Sequence, residues 1–191
     1  KPMAEVLKIP LSHFKTRSEC ISCKKNKSNK QPHRQIATTR ALNPNDLWHI
    51  DLFGPTRTRS LGGSNYGILI IDDCTRFKIG LVACAKSHVA HKLQVLIVRA
   101  DRQGRPVKAI HTDNGGEFLS KSFREWLKGM GIIHRFSAAH EHQQNGVIER
   151  GIRTVTTMVR CMLDYADLPQ ALWAEGYYYA VDVCNIVPLS V

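Results

Sequence analysis

The sequence predicts an α/β fold, a mixed sheet with helical layers, and three observations carry that prediction. Short apolar runs broken by turn residues fill positions 47–83 and read as antiparallel strands. Helical and strand patterns then alternate from 87 to 136. Two stretches with apolar residues at steps of three and four close the chain. Hairpins first, then alternation, then helices is the order expected of a sheet covered by helices.

In order, residues 47–53 alternate loosely and stop at Gly54-Pro55, a strand with its terminator. Residues 66–71 are almost continuously apolar and too short for a helix, hence a buried strand. Asp72-Asp73-Cys74-Thr75 supplies a turn, and 77–83 a further strand. Paired acids invite a metal reading, but between two strands Asp72 and Asp73 are expected as turn formers, which hydrogen-bond nearby backbone. Ser87 is expected to cap a helix reaching about Gln103, with Val89, Leu93, Leu96 and Ala100 inward and Gly104 and Pro106 ending it. A strand over 107–112, a short helix over 122–130 and a short strand over 132–136 follow. From about Gln143 a long helix places Ile148, Ile152, Val155, Val159, Met162 and Ala166 on one stripe. Pro169 suits the first turn of a last helix, expected to bury Leu172, Gly176, Tyr177, Ala180, Cys184 and Val187.

Across 191 residues, 43% apolar content suffices for a core. No apolar run is long enough to span a bilayer and no signal-peptide pattern opens the sequence, so a soluble, unsecreted protein without a membrane partner is expected. The formal charge of +11 points to a polyanionic partner. Its distribution is uneven: residues 1–45 hold ten Lys and Arg against Glu5 and Glu19, a balance of +8, which leaves +3 for the other 146 residues. Two regions are therefore expected, an extended basic arm over 1–45 and a globular domain over 46–191. In the arm, Lys24, Lys25 and Lys27 are placed to track phosphates. Cys20 and Cys23 form a Cys-x-x-Cys pair, half of a tetrahedral zinc site; His13 and His33 do not have the spacing of the other half. Cys74, Cys84, Cys161 and Cys184 stand singly among apolar residues and are expected as small buried hydrophobes.

The chemistry concentrates on three acids. Asp51 lies on the first strand, Asp113 at a strand end before Gly115-Gly116, and Glu149 in the first turns of the long helix. Strand ends hold side chains rigidly, and neighbouring glycines let a substrate approach closely. Three carboxylates that meet suit two divalent cations, which stabilise the entering and leaving oxygens of a phosphodiester exchange. Arg153 and Arg160 fall near the Glu149 face of the helix, where they could hold phosphates. His49 and His111 stand close to the acids in sequence and are expected to pack on the alternate strand face.

These residues sit in motifs with a specific order: His49-x-Asp51-x-x-Gly54-Pro55, Thr112-Asp113-Asn114-Gly115-Gly116-Glu117-Phe118, Gln144-Asn145-Gly146-Val147-x-Glu149-Arg150 and Leu168-Pro169-x-x-Leu172-Trp173, with 35 residues between Asp113 and Glu149. Residues 46–188 thereby resemble the integrase catalytic core of copia-type retrotransposon polyproteins, related to retroviral integrases and the D,D(35)E transposases. The resemblance implies an RNase H-like fold, a five-stranded mixed sheet flanked by helices, with Asp51, Asp113 and Glu149 as the catalytic, Mg²⁺- or Mn²⁺-binding triad. It implies a strand transferase that joins element cDNA to target DNA, with Gln144, Asn145, Gly146, Arg150 and Arg153 at the DNA. It further implies work as a homo-oligomer in the nucleus after synthesis within a cytoplasmic polyprotein. Cys20 and Cys23 match the cysteine half of the family's upstream zinc module; its histidine half and the family's C-terminal DNA-binding region are not in this sequence. Two other readings are a catalytically inactive DNA-binding or assembly module and an RNase H-type nuclease.

Overall fold

A computed structural model describes residues 40–113, 115–136 and 146–187. Cys20, Cys23, Lys24, Lys25, Lys27, Gln144 and Asn145 lie outside the described residues.

The chain forms β1 (Trp48–Phe53), β2 (Tyr66–Asp72), β3 (Lys78–Ala83), α1 (His88–Arg102), β4 (Ala109–Thr112), α2 (Gly116–Leu119), α3 (Lys121–Gly129), β5 (Ile133–Phe136) and α4 (Gly146–Tyr165). A 3-10 turn (Gln170–Leu172) then leads into α5 (Trp173–Ile186). The five strands make one mixed sheet in the order β3-β2-β1-β4-β5. β1, β2 and β3 pair antiparallel, whereas β1–β4 and β4–β5 are parallel. This is the RNase H-like architecture expected from the sequence.

Alternation along the strands divides the core in two. Trp48, Ile50, Ile68, Ile70 and Ile110 point to one face, where they meet Val89, Leu93 and Ile97 of α1, Phe118 of α2 and Phe123 and Leu127 of α3. Leu69 and Ile71 point to the other, against Ile148, Val155, Val159 and Leu163 of α4 and Tyr177, Ala180 and Val181 of α5. Tyr177, fully buried, donates its hydroxyl to the Ile68 carbonyl at 2.7 Å and so fixes α5 to the sheet. Along the outer edge of β3, the Asn185 amide accepts from Lys78 N and donates to Lys78 O, both at 2.8 Å. The side chain imitates a neighbouring strand at that point.

Several helix faces differ from the stripes read in the sequence. α1 buries Ile97, while Leu96 and Ala100 are only partly covered, and Ser87 makes no side-chain cap bond because its backbone is already helical. α4 ends at Tyr165, which leaves Ala166 exposed, and its buried set includes Gly151, Thr157 and Cys161. Close packing on β2 and α5 favours small residues there, so the apolar pattern alone misplaces the face. α5 buries Trp173, Ala174 and Val181, and Val187 falls beyond its end. Cys84 is exposed, contrary to expectation, and Cys74 and Cys184 are half-buried. Among the described residues, no helix is long and apolar enough to cross a membrane.

Candidate active site

Two of the three acids belong to neighbouring central strands. β1 and β4 run parallel with His49 opposite His111. Asp51 and Asp113 each lie two residues further on, so the same register sets them side by side at the carboxyl end of the strand pair. Asp51 is opposite Leu69 of β2, a residue of the face that α4 and α5 cover. Backbone amides hold both carboxylates: Leu52 N donates to Asp51 Oδ1 at 2.7 Å, and Gly115 N to Asp113 Oδ1 at 2.9 Å. The second contact is an Asx-type turn in which the acid bonds the backbone two residues on.

Glu149 is exposed in the first turn of α4, and that helix packs on β1 and β2. Gly151 lets the helix come down. A Cβ there would lie 2.3 Å from Ile71 Cδ1 and 3.1 Å from Leu69 Cδ2. Because Leu69 is the strand partner of Asp51, the start of α4 lies level with the aspartates. The structure thus sets Asp51 and Asp113 in register and carries Glu149 to the same face. Among the described residues, however, no group of three His, Cys, Asp or Glu side chains is gathered closely enough to hold a metal ion. Gly146 is the first residue of α4, and Arg150 and Arg153 are exposed along it. Arg160 bonds back to Thr157 Oγ1 at 3.2 Å.

The histidines correct an expectation. A spacing of two puts His49 on the same strand face as Asp51, and His111 on the same face as Asp113; only adjacent residues alternate. The two rings meet edge to face with Nδ1 atoms 3.4 Å apart, and His49 Nε2 lies 3.1 Å from Asp73 Oδ1. Burial lowers the pKa of His49, against the pull of Asp73. Burial, then the charges of His49 and Arg135, lowers that of His111. With Asp73 accepting at Nε2, a neutral His49 has a bare Nδ1, and the contact holds if His111 carries its proton at Nδ1. Asp73 also takes the Arg76 guanidinium at 2.6 Å and the Ala41 amide at 2.7 Å. Asp72 accepts from Asn45 N, Thr75 N and Thr75 Oγ1. Both acids are turn formers, as the sequence suggested, and they also tie residues 41–45 to the sheet. The His-x-Asp spacing signalled this support beneath the site.

A parallel support underlies β4. Thr112 Oγ1 donates to Asp113 O at 2.9 Å and lies 3.0 Å from His134 Nε2. Since the hydroxyl proton is already used, His134 must donate from Nε2, which leaves Nδ1 bare; that atom is buried without a partner among the described residues. Burial, with the charges of Arg124 and His111, holds the His134 pKa down to about 4, in keeping with a neutral ring.

Residues 41–142 match the family model described as the integrase core domain. The chain belongs to the integrase core domain family. The matched span contains Asp51 and Asp113 and ends before Glu149. The integrase core is 36% identical over 155 residues to the retrovirus-related Pol polyprotein from transposon TNT 1-94 of Nicotiana tabacum, an alignment that covers 81% of this chain and 12% of the relative. It is 25% identical over 175 residues to the transposon Ty1-NL2 Gag-Pol polyprotein of Saccharomyces cerevisiae, covering 87% of this chain and 10% of the relative. The chain therefore spans about a tenth of the length of these curated relatives.

Proposed function

We propose that this integrase core is a DNA strand transferase, in which a 3′-hydroxyl of element cDNA displaces the 3′-oxygen of a target phosphodiester in one transesterification. The observation that carries the reading is the pair of in-register aspartates at the carboxyl end of β1 and β4, with the Glu149 helix laid over the same face. The donor set fits a hard divalent cation: carboxylate oxygens are the ligands that Mg²⁺ and Mn²⁺ prefer, and backbone amides fix the two aspartates. Held by Asp51, Asp113 and Glu149, such a cation would supply activation of the nucleophile and stabilisation of the leaving oxygen. The chain's own contribution is orientation. Strand register sets the aspartates, the Asx turn steers Asp113, and the Gly151 contact sets the height of Glu149. Exposed Arg150 and Arg153 bind phosphates beside the reacting bond, and Gln144, Asn145 and Gly146 contact DNA ends.

The test joins a labelled 3′-hydroxyl duplex to plasmid DNA in Mn²⁺ or Mg²⁺. Glu149→Gln should lower joining by at least about 100-fold, the equivalent of a few kcal/mol of transition-state stabilisation. Joining at the wild-type rate with an unchanged thermal midpoint would exclude Glu149. Products that end in hydrolysis without joining would favour a nuclease.

A further inference from the structure

We infer that the loop over residues 56–63 is a DNA-backbone binding element, with Arg57 and Arg59 as its phosphate contacts. The inference rests on the strand-transfer reading for the identity of the polyanion, and its evidence lies in how the loop is built. The chain leaves β1 at Phe53, two residues past Asp51 and on the same face. Phe53 packs edge-on against Trp173 and Tyr177 of α5, at 6.2 and 5.2 Å between ring centroids. From α5 and the turn before it, two bonds reach into the loop: Trp173 Nε1 donates to Thr58 O, and Ala171 O accepts from Leu61 N, both at 3.0 Å. The loop also closes on itself, with Thr56 N to Asn65 O at 2.8 Å and with Ser60 N to Ser64 O and Ser64 N to Ser60 Oγ at 2.9 Å. Its entry needs glycine: Gly54 has φ +119°, and a Cβ there would stand 2.6 Å from Asn65 O.

Backbone pinned at start, middle and end presents its side chains at defined positions with little ordering left to do on binding. Thr56 Oγ1 is turned inward onto Thr58 O and Asn65 O, and Ser60 is buried; Arg57 and Arg59 between them are exposed. Neither guanidinium has an acidic partner among the described residues. Two unpaired guanidiniums on a rigid backbone are suited to the fork geometry of phosphate oxygens. The location gives them a task. Clustered carboxylates repel DNA, and cations fixed at the edge of the same strand end offset that repulsion.

The experiment reads binding without catalysis. The full 191-residue chain is titrated against a fluorescent duplex in EDTA, and the salt dependence of the association constant is measured. Two lost phosphate contacts at about 0.9 each should lower the log–log slope of Arg57→Gln/Arg59→Gln by about 1.8. Arg57→Lys/Arg59→Lys should retain the wild-type slope. The control pair is Arg102→Gln/Arg105→Gln, an equal loss of charge at the opposite end of the sheet, where Asn45 Nδ2 bonds Arg105 O; it should leave the slope unchanged. An unaltered slope in the Arg57/Arg59 glutamine pair, or an equal fall in both glutamine pairs, overturns the inference. Loss of slope in a chain that never joins DNA would count against the proposed reaction and leave the loop assignment standing. Normal joining with an unaltered slope would do the reverse.

Discussion

Gly151→Ala tests whether the height of α4 above the sheet controls the site. The added Cβ would fall 2.3 Å from Ile71 Cδ1 and 3.1 Å from Leu69 Cδ2. Ordinary carbon contacts begin near 3.5 Å, so either the Ile71 tip or the helix must retreat by about 1 Å. Ile71 is buried in the core beneath α4 and α5, which leaves it little room to turn. Overpacking of this kind costs about 1–3 kcal/mol, while alanine in place of glycine within a helix returns about 1 kcal/mol. The net loss of stability is therefore about 0–2 kcal/mol, a fall in thermal midpoint of up to about 8 °C for a chain of this size. The functional effect should be larger. Glu149 stands two residues earlier on the same helix, and a misplacement of about 1 Å can cost about 100-fold in rate. The assays are urea denaturation and cation-dependent joining on the same preparation. If joining persists at the wild-type rate while stability falls, the helix has moved without consequence, and Glu149 has no positional role.

Two further substitutions address the supports beneath the acids. His134 has its folded pKa lowered to about 4 from a model value of 6.5, so it stabilises the fold fully above 6.5 and progressively less as pH falls toward 4. His134→Gln keeps an N–H donor for Thr112 and removes the titration; its urea midpoint should drop less than wild type between pH 7.5 and 5.0, and an identical drop would refute the assignment. For Asp73, burial alone would raise the carboxyl pKa, but the Ala41 amide, His49 and Arg76 outweigh it and hold the group below the usual range. Its contribution is thus present above about pH 4 and lost as pH falls below the folded pKa. Asp73→Asn should cost about 2–3 kcal/mol at pH 7, less than a sealed ion pair because Arg76 reaches solvent, and the difference from wild type should shrink in acid melts. A constant difference down to pH 3 would exclude the charge as its cause.

The strands were legible because each is a short apolar run closed by turn chemistry: the runs at 66–71 and 77–83 appear as β2 and β3, with Asp72 and Asp73 folding the turn between them. Helix faces were less legible. On α4 the contact with β2 needs a residue without a side chain, Gly151, which a hydrophobic pattern reads as a gap. The short α2 went unread because it amounts to little more than one turn, although it buries Phe118 completely. In the site, Asp51 and Asp113 could be picked out by type and position, but their adjacency depends on β1 pairing with β4, a long-range choice that no local pattern records. The reading of His49 and His111 had the needed signal in the spacing of two and applied the wrong period to it.

Chain direction accounts for the location of the acids. β1 and β2 are antiparallel, as are β2 and β3, so at each shared end one strand arrives where the other departs. β4 and β5 are parallel, but the connection through α2 and α3 leaves β4 toward β5 and covers that side of the sheet. At the seam between β1 and β4 the two chains arrive together and part, one toward β2 and the other toward β5. Divergence of this kind opens a crevice beyond the carboxyl ends of the strands, where side chains can be rigid and reachable at once. A buried strand elsewhere in this sheet admits an acid only as Asp72 and Asp73 are admitted, with its oxygens taken up by local amides, hydroxyls and a guanidinium. Asp51 and Asp113 stand at the one seam whose geometry lets an acid remain half-buried and still face a substrate, which makes the β1–β4 pairing the structural condition for any chemistry the two share.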